Sequence, residues 1–170
     1  MIEYLLIDGY NIINAWRDLF NVDGEPLEDC RDRLANILSN YQGLKKINII
    51  LVFDAHMVKG SQQKEYYFDN IKIVYTKENE TADNYIEKFV HRLGNIHTIW
   101  VVTSDYLEQT MILGNGGIRM SPRELREEIQ TASRNMKPLL FPNKVKSNAI
   151  ELQLKPELLE KLEKLRRGKF

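Results

Sequence analysis

Four aspartates stand where a chain could put them to chemical use. Asp8 closes the apolar run Tyr4-Leu-Leu-Ile-Asp8, Asp54 follows Asn48-Ile-Ile-Leu-Val-Phe53, and Asp105 follows Thr98-Ile-Trp-Val-Val-Thr103 and Ser104. Asp83 lies in Glu80-Thr-Ala-Asp83, at the expected first turn of a helix. Each has an ordinary explanation, since Asp is common in turns and at helix starts, where the helix dipole favours it. Together they ask for more. Carboxylates gathered on one edge repel one another and lose hydration, and a divalent cation relieves both costs. An oxygen-only donor set favours Mg²⁺ or Mn²⁺ over zinc. His56, His91 and His97 share no metal-ligand spacing, and His91 reads as a helix-surface residue.

Phosphodiester hydrolysis suits such a site. Metal ions lower the pKa of a bound water, hold it in line with phosphorus and stabilise the leaving oxygen; a pair about 3.5–4 Å apart does this symmetrically. No nucleophilic side chain is then required, in keeping with the lack of a G-x-S-x-G elbow, a Cys–His pairing or a phosphate-binding glycine loop. A phosphatase with Asp8 as covalent nucleophile is the competing chemistry. Such enzymes usually carry a second Asp two positions on, and here that position is Tyr10.

The elements that must position these acids follow from periodicity. Tyr4–Ile7, Asn48–Phe53, Ile71–Tyr75 and Thr98–Thr103 read as strands, and the unbroken apolar run of the second suggests cover on both faces. Helical spacing marks Glu28–Tyr41 and Ala82–Leu93, with a short helix over Tyr106–Leu113 ended by Gly114-Asn-Gly-Gly117. Ser121-Pro-Arg-Glu124 predicts a capping box opening a helix to about Asn135. Leu139–Phe141 is expected as a last strand, and Lys155-Pro-Glu opens a charged helix to Arg167. Alternating strands and helices predict an α/β fold with a parallel sheet flanked by helices. Ligands in that architecture bind beyond the carboxyl ends of the strands, where three of the aspartates fall.

The 170 residues suit one domain with an ordinary core, and 43% hydrophobic with 28% charged residues exclude a disordered chain. No apolar run reaches the roughly 18 residues of a membrane span. No basic leader precedes the first strand, so a cytoplasmic location is expected. Cys30, the single cysteine, excludes an internal disulfide. Net charge is zero but uneven: residues 134–170 hold ten Lys/Arg against four Glu, leaving the remainder acidic. An acidic site on the body and a basic C-terminal arm for polyanions fit this asymmetry.

The ordered set Asp8-Gly-Tyr-Asn11, Phe53-Asp54-Ala55, Glu80-Thr-Ala-Asp83 and Thr103-Ser-Asp105 resembles the NYN nucleases, and within them the bacterial YacP-like group. Gly117-Ile-Arg-Met-Ser-Pro-Arg-Glu-Leu125 is similar to that group as well. The resemblance covers about residues 1–142, with 143–170 as a basic extension containing a helix. It implies a three-layer PIN-like fold, an acidic pocket for Mg²⁺ or Mn²⁺, endonucleolytic cleavage of single-stranded RNA or mRNA, and association with ribosomes in mRNA turnover. Matched residue by residue, Asp8, Asp54, Asp83 and Asp105 are the metal-binding acids, and Asn11 orients Asp8 or a water. Ser104 and Thr103 would bond phosphate or a ligand carboxylate. Glu80 either touches the pocket or only favours the helix start.

Basic groups must surround such a pocket if it is to accept a polyanion. Arg119, in the glycine-rich stretch, is the leading phosphate contact, followed by Arg123, Arg126 and Lys64; Lys59 and the cluster Lys161, Lys164, Arg166, Arg167 and Lys169 are further candidates. Tyr66, Tyr67 and Phe68 could stack on bases, within a polar 56–70 connection expected to form a substrate lid. Tyr10 and Trp16, at and after the DGYN turn, are expected in the core. Two rival readings stay open: a non-catalytic RNA- or ribosome-binding module on the same fold, and a small-molecule phosphatase or DNA flap nuclease using similar acids.

Overall fold

Strand residues 49, 51 and 53 face one way and 50 and 52 the other, and this alternation organises the molecule. A computed structural model of the chain describes residues 1–55 and 63–140, apart from the side chains at 106–108 and 136–140. In chain order the elements are β1 (Glu3–Asp8), α1 (Gly9–Ala15), α2 (Leu27–Lys45), β2 (Asn48–Phe53), β3 (Lys64–Phe68), β4 (Ile71–Tyr75), α3 (Ala82–Leu93), β5 (Thr98–Val102), α4 (Tyr106–Gly114), β6 (Ile118–Met120) and α5 (Pro122–Leu140). Residues 1–135 form one compact unit; of the second, 136–170, only the end of α5 is described.

The strands form one sheet in the order β3-β4-β2-β1-β5-β6. Every pairing is parallel except β3 with β4. On one face Leu5, Ile7, Ile49, Leu51 and Phe53 pack with residues of α1 and α2, together with Leu125 and Ala132 of α5. On the other, Leu6, Ile50, Val52, Val74 and Val101 meet Ile86, Phe89 and Val90 of α3 and Ile112 of α4. This is the expected three-layer α/β arrangement. Trp16 joins the first core, and its indole N–H donates to the buried carbonyl of Pro122 at 3.1 Å, tying the end of α1 to the start of α5.

Three expectations change. The 56–70 connection is not wholly a lid, because 64–68 is an edge strand. It turns into β4 through Asp69-Asn70, with Asp69 at φ 49° and the Ser39 hydroxyl bonding Asn70 at 2.8 Å. Its polar residues hid it, since an edge strand exposed on both faces needs no apolar period. Leu139 and Leu140 continue α5 instead of starting a strand. The DGYN segment is the start of a helix rather than a turn. The capping box forms as expected: Glu124 accepts from the Ser121 N–H at 2.6 Å, and Ser121 Oγ accepts from the Glu124 N–H at 3.2 Å. The expected 142/143 boundary, the helix from Lys155, His56, Lys59 and the tail lysines and arginines lie outside the described residues.

Candidate acidic site at the carboxyl edge of the sheet

β1 lies between β2 and β5, with Ile7 level with Leu51 on one side and Val102 on the other. The chain leaves β1 toward β2 and returns to pair its opposite side only with β5, so the carboxyl end of β1 is the point where strand order reverses. Crevices form at such points. Asp8 is the last residue of β1 and the N-cap of α1, its Oδ1 accepting the Asn11 backbone N–H at 3.1 Å. Gly9 follows because nothing larger fits: a Cβ there would come within 2.2 Å of the buried Phe53 ring.

Asp54 leaves β2 and accepts the backbone N–H of Ala82, the first residue of α3, at 2.6 Å. That bond draws the helix start, and Asp83 with it, toward the end of β2. Asp83 and Asp54 both act electrostatically on Asp8. Burial is the largest influence and pushes the Asp8 carboxyl up to about 6; repulsion from Asp83 and then Asp54 adds to it, against the opposing N–H bonds of Asn11 and Tyr10. Asp8, Asp54 and Asp83 therefore share one field. Asp105 stands on the other flank, after β5, its N–H donating to Thr103 Oγ1 at 3.0 Å.

The donor set suits a hard cation. Among the described residues no group of three or more Asp, Glu, His or Cys side chains is placed to hold a metal ion. Mg²⁺ does not require such a group, since it keeps much of its water and is held by one or two carboxylates. A desolvated carboxylate with two like charges acting on it is the kind of group a cation would relieve. Asn11 reaches across to Ser104, with Nδ2 3.1 Å and Oδ1 3.2 Å from Ser104 Oγ, so the amide and hydroxyl tie the start of α1 to the end of β5. Thr103 is buried.

The remaining candidates divide. The Glu80 carboxylate is engaged by Lys88 at 2.6 Å. Arg126 grips Asp18 with both guanidinium nitrogens, at 2.7 and 2.5 Å, and so braces the α1–α2 connection. Arg123 pairs with Glu127 along its own helix at 3.0 Å. Arg119 on β6 lies 4.0 Å from Glu124, and Lys64 is exposed on the edge strand.

Two features escaped the sequence reading. Fully buried Thr76 follows β4; its hydroxyl accepts from the Ala55 N–H at 3.1 Å and donates to the Glu80 carbonyl at 2.5 Å, joining the loop of Asp54 to that of Asp83. Only its place directly after a strand could have signalled this. A groove of about 300 Å³ beside α3 is lined by Lys77, Lys88 and Arg92 and by Glu65 and Glu80, the second of which pairs with Lys88.

Comparison with known proteins agrees with this arrangement. The YacP-like NYN domain matches residues 5–167. YacP of Bacillus subtilis strain 168 is 41% identical over 167 residues, 98% of each chain. Crystal structures of Rae1 (YacP) from Bacillus subtilis, in native and mutant form, superpose with a TM-score of 0.70 at 40% identity, covering 98% of this chain and 96% of theirs. The chain belongs to the YacP-like NYN domain family, a nuclease-like, RNA-related group built on this sheet.

Proposed function

We propose that the protein is a metal-dependent endoribonuclease that hydrolyses phosphodiester bonds of single-stranded RNA, including mRNA. The observation that carries this reading is the shared field of Asp8, Asp54 and Asp83 at the strand-order reversal of an NYN chain. Asp8, with Asp54 or Asp83 beside it, would hold Mg²⁺ or Mn²⁺ through one or two carboxylates and water, and Asp105 stands after β5 on the other flank. Such an ion, when bound, supplies an activated water and charge for the leaving oxygen. The chain's own part is positional. The Ala82 N–H fixes the Asp54 carboxylate, the Asn11 N–H fixes that of Asp8, and the Asn11–Ser104 pair offers an amide and a hydroxyl to a phosphate oxygen. Lys77 and Arg92 beside α3, and Arg119 on β6, are the cationic candidates for phosphates flanking the site.

The test is cleavage of a 5′-labelled RNA by the full chain with Mg²⁺ or Mn²⁺. Wild-type protein is expected to leave 3′-hydroxyl and 5′-phosphate ends, and Asp8→Asn to lose at least about 100-fold in rate, the scale of removing one member of a catalytic constellation. Undiminished cleavage by clean Asp8→Asn protein overturns the proposal. RNA binding without cleavage in wild type would instead favour the non-catalytic module. Ribosome association in mRNA turnover is part of the same proposal, supported by the family resemblance. Faster cleavage of a translated transcript than of the same transcript naked is the expected result.

A further inference from the structure

A cleft of about 440 Å³ opens beside the acidic site, and Asp54 belongs to both. Tyr10, Ile13, Val22 and Leu27 give it an apolar lining, and Asn14 and Thr81 give it a polar margin. Tyr10 is fixed from behind: its ring packs against Phe53 at 5.0 Å between centroids, and its hydroxyl accepts from Arg31 at 3.1 Å. Asn14 is exposed, and its amide makes no hydrogen bond among the described residues. Thr81 Oγ1 accepts the Asn84 N–H at 3.2 Å, so its own hydroxyl hydrogen is left to donate elsewhere.

We propose that this cleft seats one nucleobase of the RNA, next to the phosphate presented to Asp8, and that Asn14 reads its edge. The inference rests on the nuclease reading above for its neighbouring phosphate. The occupant follows from the lining. Among the described residues no lysine or arginine lines the cleft and Asp54 does, so a phosphate is disfavoured there. A neutral planar group with an apolar face and a polar rim matches aromatic and aliphatic walls under a free amide. Unpaired bases are held in this way, by stacking on fixed aromatic rings and by hydrogen bonds to their edges. An asparagine carries both a donor and an acceptor, so it can discriminate between base edges. Tyr10, expected to be mere core, thus gains a second role while remaining half-buried.

The probe is a set of nucleoside 5′-monophosphates, with ribose 5-phosphate as the control that lacks a base. The full chain is titrated with each while methyl and side-chain amide NMR signals are followed. The nucleotides are expected to shift the methyls of Val22 and Leu27 and the Asn14 amide, and ribose 5-phosphate to leave them in place. Val22→Trp, or Leu27→Trp if the first unfolds, should weaken nucleotide binding by more than about tenfold through steric exclusion. Asn14→Ala, a surface change, should narrow the spread of affinities among the four bases by about two- to tenfold, the worth of one hydrogen bond. In cleavage mapping on a randomised RNA, it should flatten preference at one position beside the cut. Equal shifts with ribose 5-phosphate, or binding untouched by the tryptophan variants, overturn the cleft assignment. These titrations contain no scissile bond. Base binding without RNA cleavage therefore refutes only the nuclease reading, and cleavage without base binding refutes only the cleft.

Discussion

Two sets of carboxylates in this fold meet opposite fates. In the connection between α1 and α2, Asp18 receives both nitrogens of Arg126, and Glu25 receives both of Arg33 at 3.0 and 2.6 Å. Hydrogen bonding to Arg126 lowers the Asp18 carboxyl, and hydrogen bonding to Arg33, then to the Asn21 N–H, holds Glu25 down to about 2. At the carboxyl edge of the sheet, burial and two like charges push Asp8 up to about 6. The residue chemistry is nearly the same, and the neighbours decide the outcome. Arg126 and Arg33 brace a loop, whereas the charges named on Asp8 are both negative, a condition under which a divalent cation binds with great effect.

The contrast can be broken most forcefully at Asp8. An acid whose folded pKa lies above its unfolded value contributes stability that is fully present below about pH 4 and is lost as pH rises through about 6. With a chelator present, Asp8→Asn is therefore expected to raise the unfolding free energy at pH 8 by about 1–3 kcal/mol and to change it little at pH 3.5. Asparagine also keeps the helix cap. Urea titrations at the two pH values measure this. Adding Mg²⁺ should raise the Tm of wild type and leave the variant where it is. A wild-type Tm indifferent to Mg²⁺ would remove the charge-relief argument.

A smaller effect is expected at Thr76. Thr76→Val keeps the shape but strands the Ala55 N–H and the Glu80 carbonyl, costing about 1–3 kcal/mol. Because that hydroxyl joins the loops of Asp54 and Asp83, kcat should fall while RNA affinity holds, and Thr76→Ser should restore both. The smallest response belongs to the paired carboxylates. Asp18→Asn lies on an exposed surface, and its Tm shift should be the least of the three and should fade in high salt. The acid limb carries the opposite sign from that of Asp8: stability from Glu25, whose folded pKa is depressed, is present above about 4.5 and is lost as pH falls through about 2.

How far this could be read in advance depended on burial. β2, buried along nearly its whole length, and α3, with one apolar face, carry periodicity and are legible; Ala82–Leu93 has the expected bounds. β3 is exposed on both faces and β6 is three residues long, so neither leaves an apolar pattern. The positions of Asp8, Asp54, Asp83 and Asp105 were legible because each falls at or beside an element boundary, which sequence marks well. What holds them was not. The pairing of Thr76 with Ala55, the Asn11–Ser104 tie and the capture of Arg126 by Asp18 join residues 21 to 108 positions apart, and no local pattern encodes such partners. Arg126 also shows why a cation near a motif is weak ground for ligand contact: its charge is already answered within the protein.

The place of β1 has a bearing on how the molecule comes into being. It is the first strand synthesised, yet its second flank is not closed until residues 98–102 have been made, and the Pro122 carbonyl that anchors Trp16 comes later still. A chain emerging stepwise from its own ribosome thus holds Asp8 on an open strand through most of its translation. The sheet edge on which Asp8 stands is therefore completed only late in synthesis.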